Sequence, residues 1–309
     1  MGYAACLQPM RSCSLPPSIE RARPLLGTVV AVRVRAAAAR AAHRAIDHAF
    51  AAVLEIHRLM SFQEEESDVS RLNRAAAHSP VTVHPHTFRV LAWAARMAQL
   101  SQGLFDASIG STLVEWGMLA ASRAAPPSGG PRASFRDIEL RNGQQVFFKR
   151  PLKIDLGGIA KGYAVDRAVA ALHACGVTSA CVNAGGDLRV VGTQAERVTI
   201  RTAASPLDVL PLVEIRRGAL ATSCSAISAR SHAGEQVGCH VSGQTHQPVH
   251  ARTTVSVLAA RCVIADALTK VVLADETAAA PLLRRFHAVA HVHHPEGPGT
   301  GWRTIGALQ

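Results

Sequence analysis

The segment Ile154–Asp166, which reads IDLGGIAKGYAVD, contains the clearest structural signal in the chain. An apolar run ends at the carboxylate of Asp155, two glycines follow, and an Ala-rich pattern typical of a helix then begins. Glycines let a backbone approach a ligand closely, and the first N–H groups of a helix can bind an anion. The segment therefore predicts a buried strand, a tight turn and a helix, with Lys161 one turn into the helix and within reach of a phosphate.

The same residues also fit a plain strand-to-helix turn, so the pattern alone leaves phosphate binding open. Asp155 could hold a metal ion or form a hydrogen bond with a ring. The segment matches neither the Walker motif, in which Lys follows the last Gly and precedes Ser or Thr, nor Gly-x-Gly-x-x-Gly. A kinase or an ordinary dinucleotide dehydrogenase is therefore disfavoured.

On both sides of this segment, apolar residues recur at helical or alternating spacing. Helices are predicted at residues 41–60, 85–99, 159–175 and 263–274. Strands are predicted at residues 28–35, 152–156, 180–183, 188–191, 198–201, 209–215, 254–259 and 288–292. Meandering strands and helices in one chain predict the α+β class, with mixed or antiparallel sheets flanked by helices.

The chain is predicted to form one domain with a short extension. Residues 1–24 are expected to be a poorly ordered N-terminal extension, and residues 25–309 a single domain. A stretch rich in Ala, Pro, Gly and Ser at residues 120–132 predicts a linker and therefore a subdomain seam.

The composition disfavours several classes of protein. The chain has 309 residues, 48% of them hydrophobic, and a net charge of +11, but only four of its 33 basic residues are lysines. Arginines are spread through Ala-rich segments and only 4% of the residues are aromatic, so a nucleic-acid-binding function is disfavoured. No apolar run reaches the roughly 20 residues that a membrane-spanning helix needs.

The compartment is indicated only indirectly. The N-terminal residues lack the charged start and the apolar core of a signal peptide, which predicts a cytoplasmic protein for the sequence as it stands. A start codon placed too far downstream would hide such a signal, so a periplasmic location stays open. Seven cysteines without a C-x-x-C pair favour free thiols in a reducing compartment.

Several histidines raise the alternative of a zinc site. They occur at Cys239-His240, at His246 and His250, and in the run His291-Val292-His293-His294. The spacing is not that of a clear ligand set. The last run lies on an alternating segment, so a solvated strand face is favoured there over a metal site.

Several separated segments resemble, in the same order, the motifs of the ApbE family, the FAD:protein FMN transferases. The glycine-turn segment resembles Asp-Leu-Gly-Gly-Ile-Ala-Lys-Gly-Tyr-Ala-Val-Asp of that family. Shorter motifs of the family are matched at residues 25–28, 60–73, 103–117, 182–187, 221–223 and 265–268. One match alone would be uninformative, but an ordered set over most of the chain is specific.

The resemblance implies a transferase that cleaves FAD and attaches FMN, through a phosphoester bond, to a Thr side chain of a target flavoprotein, with Mg²⁺ as cofactor. FAD would be the substrate and the target flavoprotein the partner, without stable membrane insertion. Apolar and aromatic side chains would contact the ring system, and Lys161 the phosphate charge. Carried over by position, the FAD site would comprise Leu26, Gln63, Leu104, Phe105, Asp106, Asp155 and Lys161.

The metal site and the catalytic residues are implied in the same way. Asp266, Thr269 and the carbonyl of Gly158 would hold Mg²⁺, which prefers oxygen ligands. Asp266 and His240 would be the catalytic residues. His240 would be the base that takes the proton of the acceptor Thr, because a neutral imidazole near pH 7 suits that transfer.

Three departures from the family pattern matter. Position 270 often holds a hydroxyl ligand in the family but is Lys here. Either Thr269 serves alone, or the Lys270 ammonium replaces part of the charge of the metal. The segment 240–248 lacks the family's Asp-Pro and is one residue shorter. Leu26 stands where Met is usual, a volume-conserving change that costs little.

Two other functions fit the same residues. One is an FAD-binding carrier that keeps the pocket but has lost transfer, which the altered segment 240–248 would allow. The other is an FAD pyrophosphatase, in which water takes the place of the acceptor Thr and FMN and AMP are released. The products formed from FAD distinguish these functions from a transferase.

Overall fold

An antiparallel sheet and the helices packed against it form the frame of the protein. The computed structural model describes residues 17–36, 38–120, 132–201, 209–224, 229–249, 253–295 and 301–306. The helices are α1 Ala39–Met60, α2 Asp68–Ala75, α3 Pro85–Leu100, α4 Gly110–Glu115, α5 Ala160–Ala174, α6 Cys262–Ala274 and α7 Glu276–Arg285. The strands are β1 Ser18–Leu25, β2 Thr28–Arg35, β3 Val81–Thr82, β4 Ile138–Arg141, β5 Gln145–Phe148, β6 Ala180–Ala184, β7 Asp187–Val191, β8 Glu196–Arg201, β9 Val209–Ile215, β10 Gly218–Cys224, β11 Arg230–His232, β12 Glu235–Val237, β13 Thr254–Ala259, β14 Val289–His293 and β15 Trp302–Ile305.

The main sheet has eight strands in the spatial order β1-β2-β6-β7-β10-β13-β14-β15, and its neighbouring strands are antiparallel. In β2, Val30, Val32 and Val34 are fully buried, because alternate side chains of a strand point to the same face. Helices α5 and α6 pack on the central strands, and α1 packs on α5. The main hydrophobic core lies between the sheet and these helices.

Helices α5 and α6 lie very close together where Gly162 has no side chain. A Cβ atom at Gly162 would lie 2.8 Å from Cβ of Asp266 and would collide with the carbonyl oxygen of Cys262. The carboxylate of Asp166, on α5, accepts hydrogen bonds from the N–H groups of Cys262 and Val263 at 3.1 and 3.2 Å. It thereby satisfies free donors at the start of α6. This junction sets the relative position of α5 and α6.

The strand predicted at residues 152–156 is wrong. Within the described residues the segment joins no sheet: Lys153 forms an isolated bridge with Ile109, and a side chain is one of the segment's main partners. The amide of Asn73 accepts from the N–H of Ile154 at 2.8 Å and donates to its carbonyl at 3.1 Å. The N–H of Asp155 donates to the carbonyl of Ala107 at 2.8 Å. A short apolar run indicates burial but does not reveal its partner.

The predicted end of the N-terminal extension is also wrong. Residues 18–24 belong to β1, which pairs with β2 along its whole length. The strands are joined by Leu26 and Gly27, with φ angles of 57° and 69°, as in the hairpin turns that match strand twist. Pro24 and the neighbouring arginines obscured the alternation of this strand. Residues 1–16, and residues 121–131 of the predicted linker, lie outside the described residues.

The predicted α+β class, with antiparallel sheets flanked by helices, is confirmed. The four predicted helices are present as α1, α3, α5 and α6, with ends that agree to within two residues. In the described ranges, no helix combines the length and the apolarity that a membrane span needs. The compartment stays a prediction.

Candidate active site

A cavity of about 370 Å³ lies at the N-terminal end of α5, beside α6 and β10. Its apolar wall is formed by Leu104, Phe105, Ile109, Leu113, Met118, Leu119, Val241 and Val249. Its polar residues are Asp106, Asp155, Lys161, Thr222, Ser223, His240 and Lys270. Such a concave surface, apolar with a few convergent polar groups, is typical of a small-molecule binding site. We refer to it as the main cavity.

A second cavity, of about 260 Å³, adjoins the main cavity. Leu119, Asp155, Gly157 and Lys161 line both cavities, so Lys161 stands where the two meet. The adjoining cavity is otherwise formed by the β1–β2 turn and by the C-terminal end of α1 with the segment after it. The two cavities therefore lie side by side, with these four residues between them.

Helices α5 and α6 contribute two lysines to the main cavity, and we call this side of the cavity its floor. The first of the two ammonium groups belongs to Lys161, on α5. Its Nζ atom lies 2.5 Å from Oδ2 of Asp187, which is fully buried and whose other oxygen accepts the N–H of Thr222 at 3.3 Å. Burial would lower the pKa of Lys161, but the charges of Asp187 and Asp266 outweigh it and raise that pKa. Burial and the charge of Asp266 raise the pKa of Asp187, against the effect of Lys161. Lys161 therefore presents a permanent positive charge to both cavities.

The second ammonium group belongs to Lys270, one turn after Asp266 on α6. Its Nζ atom lies 2.5 Å from Oδ1 of Asp266 and 3.0 Å from Oγ of Ser223. The other carboxylate oxygen of Asp266 accepts the N–H of Gly162 at 2.9 Å. Burial would raise the pKa of Asp266, but the charges of Lys270 and Lys161 lower it. Asp266 is therefore a buried carboxylate whose two oxygens both have protein partners.

Thr269 lies beneath this pair and is fully buried. Its hydroxyl donates to the backbone carbonyl of Asp266 at 2.7 Å and lies 2.8 Å from Oγ of Ser223. Asp266 and Thr269 are not among the residues that line the main cavity. Mg²⁺ requires oxygen ligands at about 2.0–2.1 Å. In this arrangement the side chains predicted to bind Mg²⁺ do not fit the ion, because they are already bonded to protein groups.

Asp155 is the carboxylate just before the glycine turn. Its Oδ2 atom accepts the N–H of Gly157 at 3.0 Å. Burial raises its pKa, and the hydrogen bond from Gly157 and the charge of Lys270 oppose that effect. Since Asp155 lines both cavities, it is placed to contact a ligand that extends from one to the other.

Asp106 also lines the main cavity, but its oxygens hold the surrounding chain. They accept the N–H groups of Ser108 and Phe135, each at 2.8 Å. Burial raises its pKa, against the effect of these bonds. Asp106 therefore fixes the loop that carries Phe105 into the cavity wall.

His240 is half-buried and lines the main cavity. Burial and the charges of Lys270 and Lys161 lower its pKa to about 3. One ring nitrogen bonds to the backbone of Cys224, so in the neutral ring the other nitrogen is the one able to accept a proton. The ring is neutral at pH 7, as a general base must be.

The structure brings most of the predicted site residues together. Leu104, Phe105, Asp106, Asp155, Gly158, Lys161 and His240 line the main cavity, and Leu26 and Gln63 line the adjoining one. Asp266 and Thr269 lie beneath the floor. The roles assigned to all of these residues stay predictions.

The sequence did not identify the partner of Lys161. Asp187 follows two glycines at the start of a buried strand and is completely inaccessible to solvent. Buried carboxylates are rare unless they are paired. The sequence places Asp187 beside a glycine turn but carries no signal that Lys161 is its partner, because the two residues meet only through the packing of α5 on β7.

Glu55, His84 and His86 form another group of potential metal ligands, between α1 and the start of α3. The Nδ1 atom of His84 accepts the N–H of His86 at 3.1 Å and so caps α3. In a neutral ring the proton is then on Nε2, which lies 3.8 Å from Glu55. A protonated nitrogen cannot bind a metal, so this geometry is that of a helix cap.

The histidines considered as zinc ligands lie in different environments. His246 has its Nδ1 atom 3.1 Å from Oγ1 of Thr112. His293 is buried, with its ring centroid 4.9 Å from that of Trp302. The solvated face predicted for this segment is wrong at His293, because its ring packs against that of Trp302 on the paired strand β15. His250 lies outside the described residues.

The chain is similar to proteins of one family. The model of the ApbE family matches residues 26–292. The FAD:protein FMN transferase of Treponema pallidum is 30% identical over 186 residues, covering 56% of this chain and 51% of that protein. The FAD:protein FMN transferase of Vibrio cholerae is 27% identical over 227 residues, covering 69% of this chain and 68% of that protein. The chain thus spans only about half the length of the Treponema relative.

Solved structures share the fold. The ApbE protein of Thermotoga maritima is 24% identical with a TM-score of 0.78, covering 89% of this chain and 94% of that one. The flavinyl transferase ApbE of Pseudomonas stutzeri, in its apo form, is 20% identical with a TM-score of 0.79, covering 95% and 96%. With the family match over residues 26–292, this shared fold shows that the chain belongs to the ApbE family.

Proposed function

We propose that the protein transfers FMN from FAD to the hydroxyl of a Thr on a target flavoprotein. The observation that carries the proposal is an apolar cavity wall above a floor with two lysine ammonium groups. A flavin ring system needs apolar surface and a pyrophosphate needs cations, and FAD contains both. The name that the relatives share, FAD:protein FMN transferase, supports the same reaction.

The two cavities suggest how FAD is oriented. In the main cavity the ring system lies against the apolar wall around Phe105, and the pyrophosphate lies over Lys161 and Lys270. The other half of FAD passes Lys161 into the adjoining cavity, towards Leu26 and Gln63. The acceptor Thr then approaches on the side of the main cavity.

Transfer forms one bond and breaks one bond. The Thr oxygen attacks the phosphorus of the FMN half, the bond from that phosphorus to the bridging oxygen breaks, and AMP leaves with the bridging oxygen. Lys161 and Lys270 stabilise the negative charge that passes to the AMP phosphate. The reaction needs no oxidant or reductant, and its only other product is the proton of the Thr hydroxyl.

His240 takes that proton and later releases it to solvent. In the free protein its pKa is about 3, because burial and the charges of Lys270 and Lys161 favour the neutral ring. The negative charges of a bound pyrophosphate raise that pKa towards neutrality. Proton transfer is most effective when the pKa of the base lies near the working pH.

Mg²⁺ is not part of this proposal, although the family resemblance implies it. As they stand, Asp266 and Thr269 do not fit the ion, because Lys270, Gly162 and Ser223 are bonded to their oxygens. Magnesium dependence stays a prediction from the sequence. A magnesium titration of the transfer rate tests it.

Incubation with FAD and a Thr-bearing domain of a flavoprotein, followed by mass spectrometry, tests the proposed reaction. Covalent FMN on the domain with an equal amount of AMP is the expected result. The same domain with Ala at the acceptor position is the matched control and should stay unlabelled. Free FMN with AMP would indicate a pyrophosphatase and unchanged FAD would indicate a carrier, and either result contradicts transfer.

Replacement of His240 tests the proposed base. His240→Ala should keep FAD binding but slow transfer by about 10²–10⁴-fold, the range for loss of a general base. His78, which is exposed and does not line either cavity, provides the control, since His78→Ala should transfer at the wild-type rate. An unchanged rate for His240→Ala would show that the base lies elsewhere or is not needed.

A further inference from the structure

We infer that Lys270 replaces the divalent cation in this chain, so that FAD binding and FMN transfer proceed without a metal ion. The inference rests on the proposed transfer reaction and concerns the positive charge that faces the pyrophosphate. Three features support it: the hydrogen bonds around Lys270, the position of its side chain beside Gly158, and the exposure of the ammonium rather than the carboxylate to the cavity.

The Lys270 ammonium starts a chain of hydrogen bonds whose direction is fixed. A Lys nitrogen can only donate and a carbonyl oxygen can only accept. The bonds therefore run from Nζ of Lys270 to Oγ of Ser223 at 3.0 Å, from there to Oγ1 of Thr269 at 2.8 Å, and from there to the carbonyl of Asp266 at 2.7 Å. Both hydroxyl protons of this chain are used.

This chain of bonds occupies the positions that an ion would need. Mg²⁺ takes oxygen ligands at about 2.0–2.1 Å in nearly octahedral geometry. The Nζ atom of Lys270 lies 2.5 Å from Oδ1 of Asp266, so an ion there would overlap the ammonium and be repelled by its charge. Thr269 is fully buried, and turning its hydroxyl towards an ion would break its bond to the Asp266 carbonyl.

The stem of Lys270 also lies close to the third predicted ligand residue, Gly158. A Cβ atom built on Gly158 would lie 3.5 Å from Cγ and Cε of Lys270 and 3.5 Å from Cε2 of Phe105. The lysine stem therefore lies beside the glycine turn and Phe105, with room for one methyl group between them. The hydrogen bonds to Asp266 and Ser223 hold the ammonium at one position of the floor.

The positive end of each buried pair faces the ligand. The side chain of Lys270 is 16% exposed and that of Asp266 is 0% exposed. Lys161 and Asp187 repeat the arrangement, with 32% and 0%. Two of the three N–H bonds of Lys270 are used within the described residues, which leaves the third for a phosphate oxygen. Two ammonium groups then meet the two negative charges of the pyrophosphate.

FAD affinity and FMN transfer in EDTA and in millimolar Mg²⁺ test this inference. The full chain is compared as wild type, Lys270→Thr and Lys149→Thr, since the side chain of Lys149 is 51% exposed and lines neither cavity. Wild type and Lys149→Thr should have the same affinity and the same transfer rate in both buffers. Lys270→Thr should bind FAD about tenfold or more weakly in EDTA, the loss expected for a charge-assisted hydrogen bond, and Mg²⁺ should restore its affinity.

Several outcomes would overturn the inference. The inference is wrong if the wild-type protein needs Mg²⁺ for FAD affinity or for transfer. It is also wrong if Lys270→Thr binds FAD as tightly as wild type in EDTA, or if Mg²⁺ does not restore the FAD affinity of that variant. Lys270→Gln, which is one atom shorter than Lys and keeps N–H donors but removes the charge, replaces Lys270→Thr if that variant does not fold.

The same experiment separates this inference from the proposed function. Absence of covalent FMN in every condition contradicts the transfer reaction. The FAD affinities then still decide the role of Lys270. Replacement of the metal by Lys270 is supported if the FAD affinity depends on Mg²⁺ in Lys270→Thr but not in the wild type. It is contradicted if the wild-type affinity depends on Mg²⁺.

Discussion

The two ammonium–carboxylate pairs of the cavity floor are assembled in different ways. Lys270 and Asp266 lie one turn apart on α6, and side chains at positions i and i+4 of a helix are neighbours wherever that helix forms. Lys161 and Asp187 come from α5 and β7, so they meet only when the helix packs on the sheet. The first pair therefore depends on local structure, and the second depends on the tertiary fold.

The pairs also differ in how much of the lysine can reach water. The Lys161 side chain is 32% exposed and that of Lys270 is 16% exposed, while both carboxylates are fully buried. Removal of the partner of a lysine lowers the stability of the fold more when the lysine is more deeply buried, because its charge is then left without a partner and with little water around it. The difference indicates that the Lys270 pair contributes more to the stability of the fold, whereas Lys161 is the more accessible contact for a ligand.

The largest expected effect is on stability and separates the two pairs. Asp266→Ala should lower the free energy of unfolding by about 3–5 kcal/mol, because it leaves a buried charge without a partner. Asp187→Ala should cost less, since Lys161 can turn towards solvent. Urea unfolding measures both. Addition of Lys270→Met to Asp266→Ala should recover most of the loss, and an equal or larger cost for Asp187→Ala would contradict the comparison.

The next effect is on ligand affinity and concerns the more exposed lysine. Lys161→Ala should weaken FAD binding by about 1–3 kcal/mol, the range for loss of a charge-assisted hydrogen bond. Riboflavin affinity should barely change, because riboflavin has no phosphate. Titration calorimetry measures both ligands, with Lys149→Ala as the control. Equal affinities of the wild-type protein for FAD and riboflavin would refute phosphate recognition at this floor.

The smallest effect is on the pKa of His240. Removal of a nearby positive charge favours the protonated ring, so Lys270→Met and Lys161→Met should each raise the pKa from about 3. Lys270→Met should raise it more, because Lys270 exerts the larger of the two charge effects. NMR titration of the ring protons measures the shifts. The reverse order, or no shift, would show that these ammonium groups do not act on the ring as described.

Much of the fold was predictable because periodicity records which side chains are buried. The strands predicted at residues 28–35, 209–215 and 254–259 coincide with β2, β9 and β13. The strand predicted at residues 152–156 failed because its partners are the side chain of Asn73 and the backbone of Ala107 and Gly110, which no local pattern reveals. β1 was missed because its pairing depends on a hairpin turn at Leu26 and Gly27 rather than on its own alternation.

The same limit applies to the site. The motif matches predicted residues that the fold gathers around two adjoining cavities, including Phe105, Lys161 and His240. They did not show that Asp266 lies beneath the floor, because accessibility depends on how α6 packs against α5. The identity of residue 270 was itself informative, since a Lys one turn after an Asp on a helix predicts their ion pair.

A crystal structure of the protein with FAD, grown in the presence of Mg²⁺, shows directly whether both lysines of the floor hold the pyrophosphate without a metal ion. The predicted result has phosphate oxygens within hydrogen-bonding distance of Lys161 and Lys270, with Asp266 still paired to Lys270. A pyrophosphate bound away from these lysines, or an ion between Asp266 and the pyrophosphate with Lys270 displaced, would contradict metal-free binding of FAD by the two lysines.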